Sequence, residues 1–542
     1  MKTPFADFDY DSERARFSYS VPEFFNFGFD VVDRRAQEND KLALIAIDRS
    51  GEHVTHYRYS DLERESNRFA NALLDLGVRK GDSVLVVLPR IAQWYFVLLA
   101  CTKIGAIAMP GTNQLKAKDL AYRLQRSGAS VAVVGPSHAP AIEAIGPLCP
   151  ALQHTILVGE DRAGWHSFER ICAAQAPLID RQRIEPTRSQ EPMLIYFTSG
   201  TTSLPKMVER DHAYALAHAI TGRYWQDLRE SDVHWTLTDT GWAKAAWGLL
   251  YPPLTAGSTI VLYDGEGFDL QMHLDIIARF KVSTFCAPPT IYRAMAKADL
   301  SQADFSSLRH CFGAGEPLNP EAMRAWKLAT GCDIYDGYGQ TETINIVANF
   351  PGMAIRPGSM GKPCPGMHVD IVDDDGRVLP HHEVGHIAVK VTDPYPPGLF
   401  RGYFGDPQTT AQAFRHGWYY TGDTAKRDEE GYIWFVGRSD DIISSSGYRI
   451  SPFEVESTLI EHPAVAEAAV VGKPDELRGE IVKAFIILAK GFVASEALAA
   501  EIQNFVKEQT APYKYPREIV FREALPKTIS GKIRRVELRA EN

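Results

Sequence analysis

The sequence contains no stretch of about 18 consecutive apolar residues, the length a helix needs to cross a bilayer. Its opening, MKTPFADFDYDSERARFSYS, lacks the apolar centre of a secretory leader. Cysteine is scarce and unpatterned. The seven residues (Cys101, Cys149, Cys172, Cys286, Cys311, Cys332 and Cys364) are odd in number and form no CxxC pair, which excludes a disulfide framework or a zinc ribbon. Free thiols, no leader and no spanning segment lead us to expect a cytoplasmic protein without stable membrane insertion. Positive charge is also in deficit: 58 Lys and Arg against 68 Asp and Glu leave a net charge of −10. No nucleic-acid partner is expected, because such binding needs a cationic excess to displace counterions. Internal repeats and low-complexity tracts are absent as well.

What is present is an ordinary globular composition, 45% hydrophobic and 23% charged over 542 residues. That length suits roughly three to four units of domain size. Homo-oligomerisation is left open. Val/Ile/Leu-rich, non-alternating runs at SVLVVLP (83–89), SVAVVG (130–135) and STIVLY (258–263) read as strands covered on both faces. Between such runs lie amphipathic helices. In SDLERESNRFANALLDLG, Ser60 and Glu63 have capping-box spacing, Leu62, Phe69, Leu73 and Leu76 share a face, and Gly77 ends the helix. Alternating strands and helices predict an α/β fold with mostly parallel sheets sandwiched by helices. After about residue 437 the character changes. EAAVVG (467–472) and VKAFIIL (482–488) read as strands, and SEALAAEIQNFVKEQ as a helix with Leu498, Ile502 and Phe505 inward. The polar, turn-rich GRSDDIISSSGYRI (437–450) is the candidate junction. It divides a large N-terminal domain, 1–438, from a small C-terminal α+β domain, 439–542.

YFTSGTTSLPK (196–206) crowds hydroxyls and a glycine ahead of a lysine. Backbone N–H groups, hydroxyls and one cation can wrap phosphate oxygens. It is not a Walker A loop, because Pro205 stands where the second glycine would be. Taken alone, the stretch reads equally well as a solvated loop.

The order and spacing of YFTSGTTSLPK, GAGEP (313–317), YGQTE (338–342), YTGD (420–423), GRSDD (437–441) and PKTISGK (526–532) resemble the adenylate-forming superfamily of acyl-CoA synthetases, carrier-protein adenylation domains and luciferases. GYRISPFEVES, APYKYPRE and LPKTISGKIRR look most like the medium-chain acyl-CoA synthetases. The resemblance covers essentially the whole chain. It implies a two-step ligase: a carboxylic acid attacks the α-phosphorus of ATP to give acyl-AMP and pyrophosphate, and the CoA thiol then displaces AMP. ATP and CoA are the implied co-substrates, with Mg²⁺ accompanying ATP.

The resemblance also implies roles. Thr198, Ser199, Gly200, Thr201, Thr202, Ser203, Leu204, Pro205 and Lys206 would hold the β- and γ-phosphates; Ser203 stands where glycine is usual. Gly315, Glu316 and Pro317, with Asp336, Gly337, Tyr338, Gly339, Gln340 and Thr341, would line the adenine and α-phosphate. Thr341 would bond the α-phosphate and Glu342 would help hold Mg²⁺. Asp423 and Arg438 would bind the ribose, a carboxylate offering two acceptors to a vicinal diol. Lys532 would bridge the acyl carboxylate and α-phosphate during adenylation, whereas Arg534 and Arg535 read as a solvated basic tail. Asp440 takes the hinge position of a mobile C-terminal domain. Ser446, Gly447 and Tyr448, with Arg478, Tyr515, Pro516 and Arg517, would meet CoA, and Arg449 would face the acyl group.

For the acid, acetyl-specific relatives carry two tryptophans before QTE; Tyr338 and Gly339 stand there instead. A hydrogen in place of an indole is expected to open room for a longer chain, each buried methylene contributing about 0.8 kcal/mol. Trp242, in TDTGWAKAAWG, is expected to supply another wall, with core packing as the plain alternative. Medium-chain acids fit best. An aryl acid such as benzoate, or loading of a separate carrier protein, remains the alternative.

Overall fold

The computed structural model describes residues 8–198, 205–296, 298–315, 318, 320–446, 448–528 and 532–541, with the backbone alone for Arg449. Local sequence explains its helices. The helix Tyr59–Asp75 begins one residue before the expected Ser60. The Asp61 carboxylate accepts the Arg58 N–H at 2.7 Å, and Ser60 donates its N–H and hydroxyl to Asp40, both at 2.9 Å. The Ser60–Glu63 capping box is therefore not formed: Asp40, from the stretch before the strand Leu42–Ile47, accepts the Ser60 N–H that the box would have given to Glu63. Leu62, Phe69 and Leu73 are fully buried as expected, and Gly77 takes φ +89°.

Among the described residues, one sheet runs His166–Ser167, His154–Leu157, Val131–Val134, Ser83–Val87, Ile107–Pro110, Pro192–Thr198, Lys206–Asp211. All its neighbours are parallel except the last pair. A second sheet runs Lys362–Pro363, Asn345–Ala348, Ile334–Gly339, His310–Ala314, Thr284–Cys286, Val233–Thr236, Thr259–Tyr263, Leu42–Ile47, Val54–Arg58. It is parallel in the middle and antiparallel at both edges. Strand alternation divides the core. Val84 and Val86 enter the core shared by the two sheets, and Leu85 and Val87 enter the outer core under the helices Ala117–Ser127 and Ala139–Ile145. Burial on both faces is why these strands read as unbroken apolar runs.

A third sheet, built from Val369–Val372, Gly385–Lys390, Phe414–Arg415, Trp418–Arg427 and Ile433–Arg438, is wholly antiparallel. Reading the large domain as mostly parallel did not distinguish this layer. The α/β class itself holds.

Beyond Arg438, a short turn leads into the strands Ile443–Ser445 and Tyr448–Ile450. They join the long hairpin Val465–Asp475 and Gly479–Leu488, with Glu518–Phe521 parallel to its second arm. The helices Pro452–Glu461 and Glu496–Gln509 cover this sheet through Val455, Leu459, Leu498, Ile502 and Val506. Arg535 corrects the reading of a solvated tail. It is largely buried, and its Nη2 donates to both oxygens of the buried Glu456 at 2.7 Å, with Asp441 3.5 Å away. Arg539 also pairs with Asp441. Arg534, by contrast, is half exposed and pairs with Glu537. All seven cysteines are free, six of them buried. Among the described residues, no helix is long and apolar enough to cross a membrane.

Candidate active site

The motif segments converge at the carboxyl ends of parallel strands, where α/β sheets bind ligands. Thr198 ends the strand Pro192–Thr198 and pairs in register with Lys206. Ser199, Gly200, Thr201, Thr202, Ser203 and Leu204 lie outside the described residues, as do Glu316, Pro317 and Gly447. Pro205 is held by its carbonyl, which accepts the Tyr122 hydroxyl at 2.9 Å. Gly315 follows the strand His310–Ala314 at φ +104°, a conformation that favours glycine. Ala314 is in register with Gly337, so the two proposed adenine-lining segments are neighbours.

Asp423 lies opposite Arg438 in the third sheet and is only 5% exposed. Its Oδ2 accepts the Tyr338 hydroxyl at 2.6 Å and the Gln340 amide at 2.7 Å, while Arg438 stands 3.5 Å from Oδ1. Burial pushes this carboxyl above the usual carboxylate range; Arg438, Tyr338, Lys532 and Gln340 act against that shift. The ammonium of Lys532 is thus close enough for Asp423 to feel its charge. Lys532 itself is exposed, and its main chain pairs with Thr528 by two hydrogen bonds, of 2.7 and 3.1 Å. Asp336 is buried and has no cation among the causes that set its acidity; burial drives its carboxyl up to about 8, opposed by the Gly337 N–H at 3.0 Å.

Thr341 and Glu342 follow in the turn after Gly339. Glu342 accepts the Tyr403 hydroxyl at 3.0 Å, and burial raises its carboxyl against the pull of Lys206 and Arg210. Lys206 sits 4.9 Å from the Tyr403 ring centre. Arg210, buried, fixes this turn by donating to the carbonyls of Glu342 at 2.7 Å and Gly398 at 2.9 Å. Sequence reasoning missed Arg210 and Tyr403. Arg210 shares Lys206's strand face by period-two spacing, a signal that could have pointed to it; Tyr403 carried none. Among the described residues, no group of three or more metal-ligating side chains exists. A magnesium ion fits here only as one carboxylate, Glu342, plus nucleotide phosphates supply it.

One acyl-pocket expectation changes. A Cβ built on Gly339 would lie 2.3 Å from the Ile344 carbonyl oxygen and 3.0 Å from the Asn345 Cα. The missing side chain thus makes way for the next strand's backbone, although Gly339 itself is exposed at the end of its strand. Tyr338 turns its hydroxyl to Asp423. Trp242 is half-buried at the start of the helical turn Ala243–Ala245, and Trp247 packs on Trp225 at 5.1 Å between centroids. The loop before Trp242 is clamped to the first sheet: Thr112 donates to Asp239 at 2.9 Å, and a Cβ on Gly241 would overlap the Thr112 nitrogen at 1.9 Å.

In the C-terminal region, Ser446, at φ +51°, donates its N–H to the Arg478 carbonyl at 2.8 Å and accepts the Arg478 guanidinium at 3.2 Å. Tyr448 stacks on Tyr513 at 4.1 Å and 10°. Arg517 donates to the Tyr515 hydroxyl at 3.0 Å, and Pro516 between them is buried. Arg449 pairs with Ser444 in a strand, and Asp440 lies in the exposed turn, 3.7 Å from Arg438. His386 lies with its Nε2 3.0 Å from the Asp374 Oδ1.

The model of AMP-binding enzymes matches residues 32–404, and that of the AMP-binding enzyme C-terminal domain matches 454–532. The chain belongs to the AMP-binding enzyme family. It is 44% identical over 542 residues to acyl-coenzyme A synthetase ACSM3, mitochondrial, of Rattus norvegicus, covering 98% of this chain and 93% of that one. It is 45% identical over 530 residues to acyl-coenzyme A synthetase ACSM4, mitochondrial, of Homo sapiens, covering 96% and 91%. The anthranilate CoA ligase AuaEII, solved with anthranoyl-AMP, is similar at TM-score 0.88 and 36% identity over 96% of this chain and 98% of that one.

Proposed function

We propose that this family member is an ATP-dependent, AMP-forming acyl-CoA synthetase acting on medium-chain acids. The observation that carries the reading is the convergence of Tyr338, Gln340 and Arg438 on the buried Asp423, with Lys532 near enough to act on its charge, from segments up to 194 residues apart (338 to 532). Asp423 receives the ribose, with Tyr338 and Gln340 fixing the carboxylate and Arg438 closing its other side. The segment Thr198–Lys206 receives the β- and γ-phosphates, and Thr341 the α-phosphate. Glu342 and the nucleotide phosphates would hold Mg²⁺, which would supply charge neutralisation to the leaving pyrophosphate.

Two anions must meet in the first step, and electrostatic stabilisation of their approach is the main demand on the protein. Lys532 meets it by bridging the acyl carboxylate and the α-phosphate. Arg210 serves indirectly by fixing the Glu342 turn. For thioester formation, the 439–542 domain turns about Asp440 and brings Ser446, Gly447, Tyr448 and Arg449 to the acyl-AMP, while Arg478 and Tyr515–Arg517 meet CoA. Chain length rests on the likeness of GYRISPFEVES and LPKTISGKIRR to medium-chain synthetases, since Gly339 no longer supports it. An aryl acid is the second reading, favoured by the similarity to an anthranilate CoA ligase. Free cysteines fit a reducing compartment such as the cytoplasm.

The test is pyrophosphate release with Mg-ATP and CoA across acetate to dodecanoate, plus benzoate. A maximum between butyrate and decanoate is expected. A maximum at benzoate selects the aryl reading, and turnover only with an acyl carrier protein in place of CoA refutes the synthetase assignment.

A further inference from the structure

Tyr419 lies on the strand Trp418–Arg427, four residues before Asp423, and is 2% exposed. Its ring packs on Phe400 at 5.2 Å and on Phe414 at 5.3 Å between centroids. The flanking Trp418 and Tyr420 turn the other way, into a separate small cluster with Val372 and Ala388. Burial, with Glu342 nearby, pushes the Tyr419 phenol well above its usual range, so the hydroxyl keeps its proton and donates. Its acceptor is the side-chain oxygen of Gln340, Oε1, 3.0 Å away.

The other end of the Gln340 amide is committed. Its Nε2 donates to the Thr421 carbonyl at 2.9 Å and to Asp423 Oδ2 at 2.7 Å. A backbone carbonyl can only accept, so the amide must face it with its NH2 group, and Oε1 then needs a donor. Tyr419 supplies it. Asp423 Oδ2 also takes the Tyr338 hydroxyl at 2.6 Å. Two donors thus fill that oxygen, and Oδ1, 3.5 Å from Arg438, is the one that can take a ribose hydroxyl. The aim of the carboxylate depends on an amide whose own orientation Tyr419 sets.

We infer that Tyr419 is a positioning residue for the nucleotide sugar: by donating to Gln340 it fixes the amide that aims Asp423, without touching ATP itself. The inference rests on the assignment of Asp423 to the ribose made above and adds the residue that stands behind it. Without the hydroxyl, the Gln340 oxygen loses its donor, and the amide gains the freedom to turn that oxygen toward Asp423, where oxygen would face oxygen. The ribose hydroxyls then lose a fixed acceptor, while the base and the phosphates keep their contacts. Packing by the ring alone predicts a different pattern, because a slackened sheet weakens binding of every nucleotide alike.

The experiment measures Kd by titration calorimetry, with Mg²⁺ present, for ATP, 2′-deoxy-ATP and 3′-deoxy-ATP. Binding needs no acid, so the result stands apart from the acid panel that tests the synthetase reading. The intact protein is expected to bind ATP about tenfold or more tighter than at least one of the deoxy nucleotides. In Tyr419→Phe, which keeps the ring, that ratio should fall about fivefold through weaker ATP binding, with the deoxy nucleotide little changed. Gln340→Leu should show a comparable loss, and Tyr419→Phe should add nothing in that background. Melting of the nucleotide-free variants reports that they are folded. Equal weakening toward all three nucleotides in Tyr419→Phe overturns the inference. So does a loss that recurs when Tyr419→Phe is added to Gln340→Leu. A ratio left intact by Gln340→Leu overturns it whatever becomes of Tyr419→Phe. An intact protein that binds ATP no tighter than both deoxy nucleotides overturns the ribose assignment, and this inference with it.

Discussion

Replacing Arg535 by methionine tests how the segment that carries Lys532 is anchored. Arg535 follows Lys532 by three residues and makes two 2.7 Å contacts with Glu456, whose side chain is 8% exposed. Arg535→Met leaves that carboxylate buried with only the Val470 N–H, 2.8 Å away, as a named donor. Breaking one side of a buried ion pair costs about 3–5 kcal/mol. That corresponds to an opening equilibrium raised by about a hundred- to a few-thousand-fold. Glu456→Gln in the same chain removes the stranded charge, so the double variant should recover about 2 kcal/mol or more. Native-state hydrogen exchange of peptides from the strands Val465–Asp475 and Gly479–Leu488 reads this directly, because it separates local opening from global unfolding. Acyl-AMP formation should weaken in parallel, since the segment that carries Lys532 loses its anchor. Unchanged protection in Arg535→Met, or a double variant less protected than the single one, would refute the reasoning.

The remaining predictions concern Gly339, exposed at the end of its strand, and the buried Asp336. Gly339→Ala forces a methyl to within 2.3 Å of the Ile344 oxygen and should destabilise by about 1–3 kcal/mol, read as a fall in Tm. An unaltered Tm would restore the open slot that was expected there. Asp336, driven up to about 8, holds its proton in the folded state where the unfolded chain has released it. Its contribution is complete below pH about 4 and is lost as pH rises through about 8. Asp336→Asn should flatten the decline of Tm between those limits and raise Tm by about 2 °C or more at pH 8.5. Parallel Tm curves for the two proteins would show that Asp336 titrates elsewhere.

Much of the scaffold was legible because both-face burial writes unbroken Val/Ile/Leu runs, as at Ser83–Val87 and Thr259–Tyr263. The antiparallel third sheet was not, since Gly385–Lys390 and Trp418–Arg427 mix polar and apolar residues and owe their pairing to partners far along the chain. Motif order pointed to Asp423 and Arg438, which the fold pairs across one sheet, and to Lys532, proposed for the first half-reaction. It could not bring out Arg210, which acts through two backbone carbonyls. Gly339 shows a different limit. The absence of a side chain can mean room for a ligand or the close approach of another strand, and only the fold separates these. Arg535 was misread for a related reason: a basic run looks solvated until Glu456, 79 residues earlier, is seen to be buried against it.

The account rests on Lys532 serving the first half-reaction alone. The direct measurement is Lys532→Ala assayed separately in each half: acid-dependent exchange of pyrophosphate into ATP, and thioester formation from supplied acyl-AMP and CoA. The account predicts loss of the exchange by about a hundredfold or more, a few kcal/mol of transition-state stabilisation, with the thioester step spared. Equal loss in both halves, or exchange that persists, would contradict it.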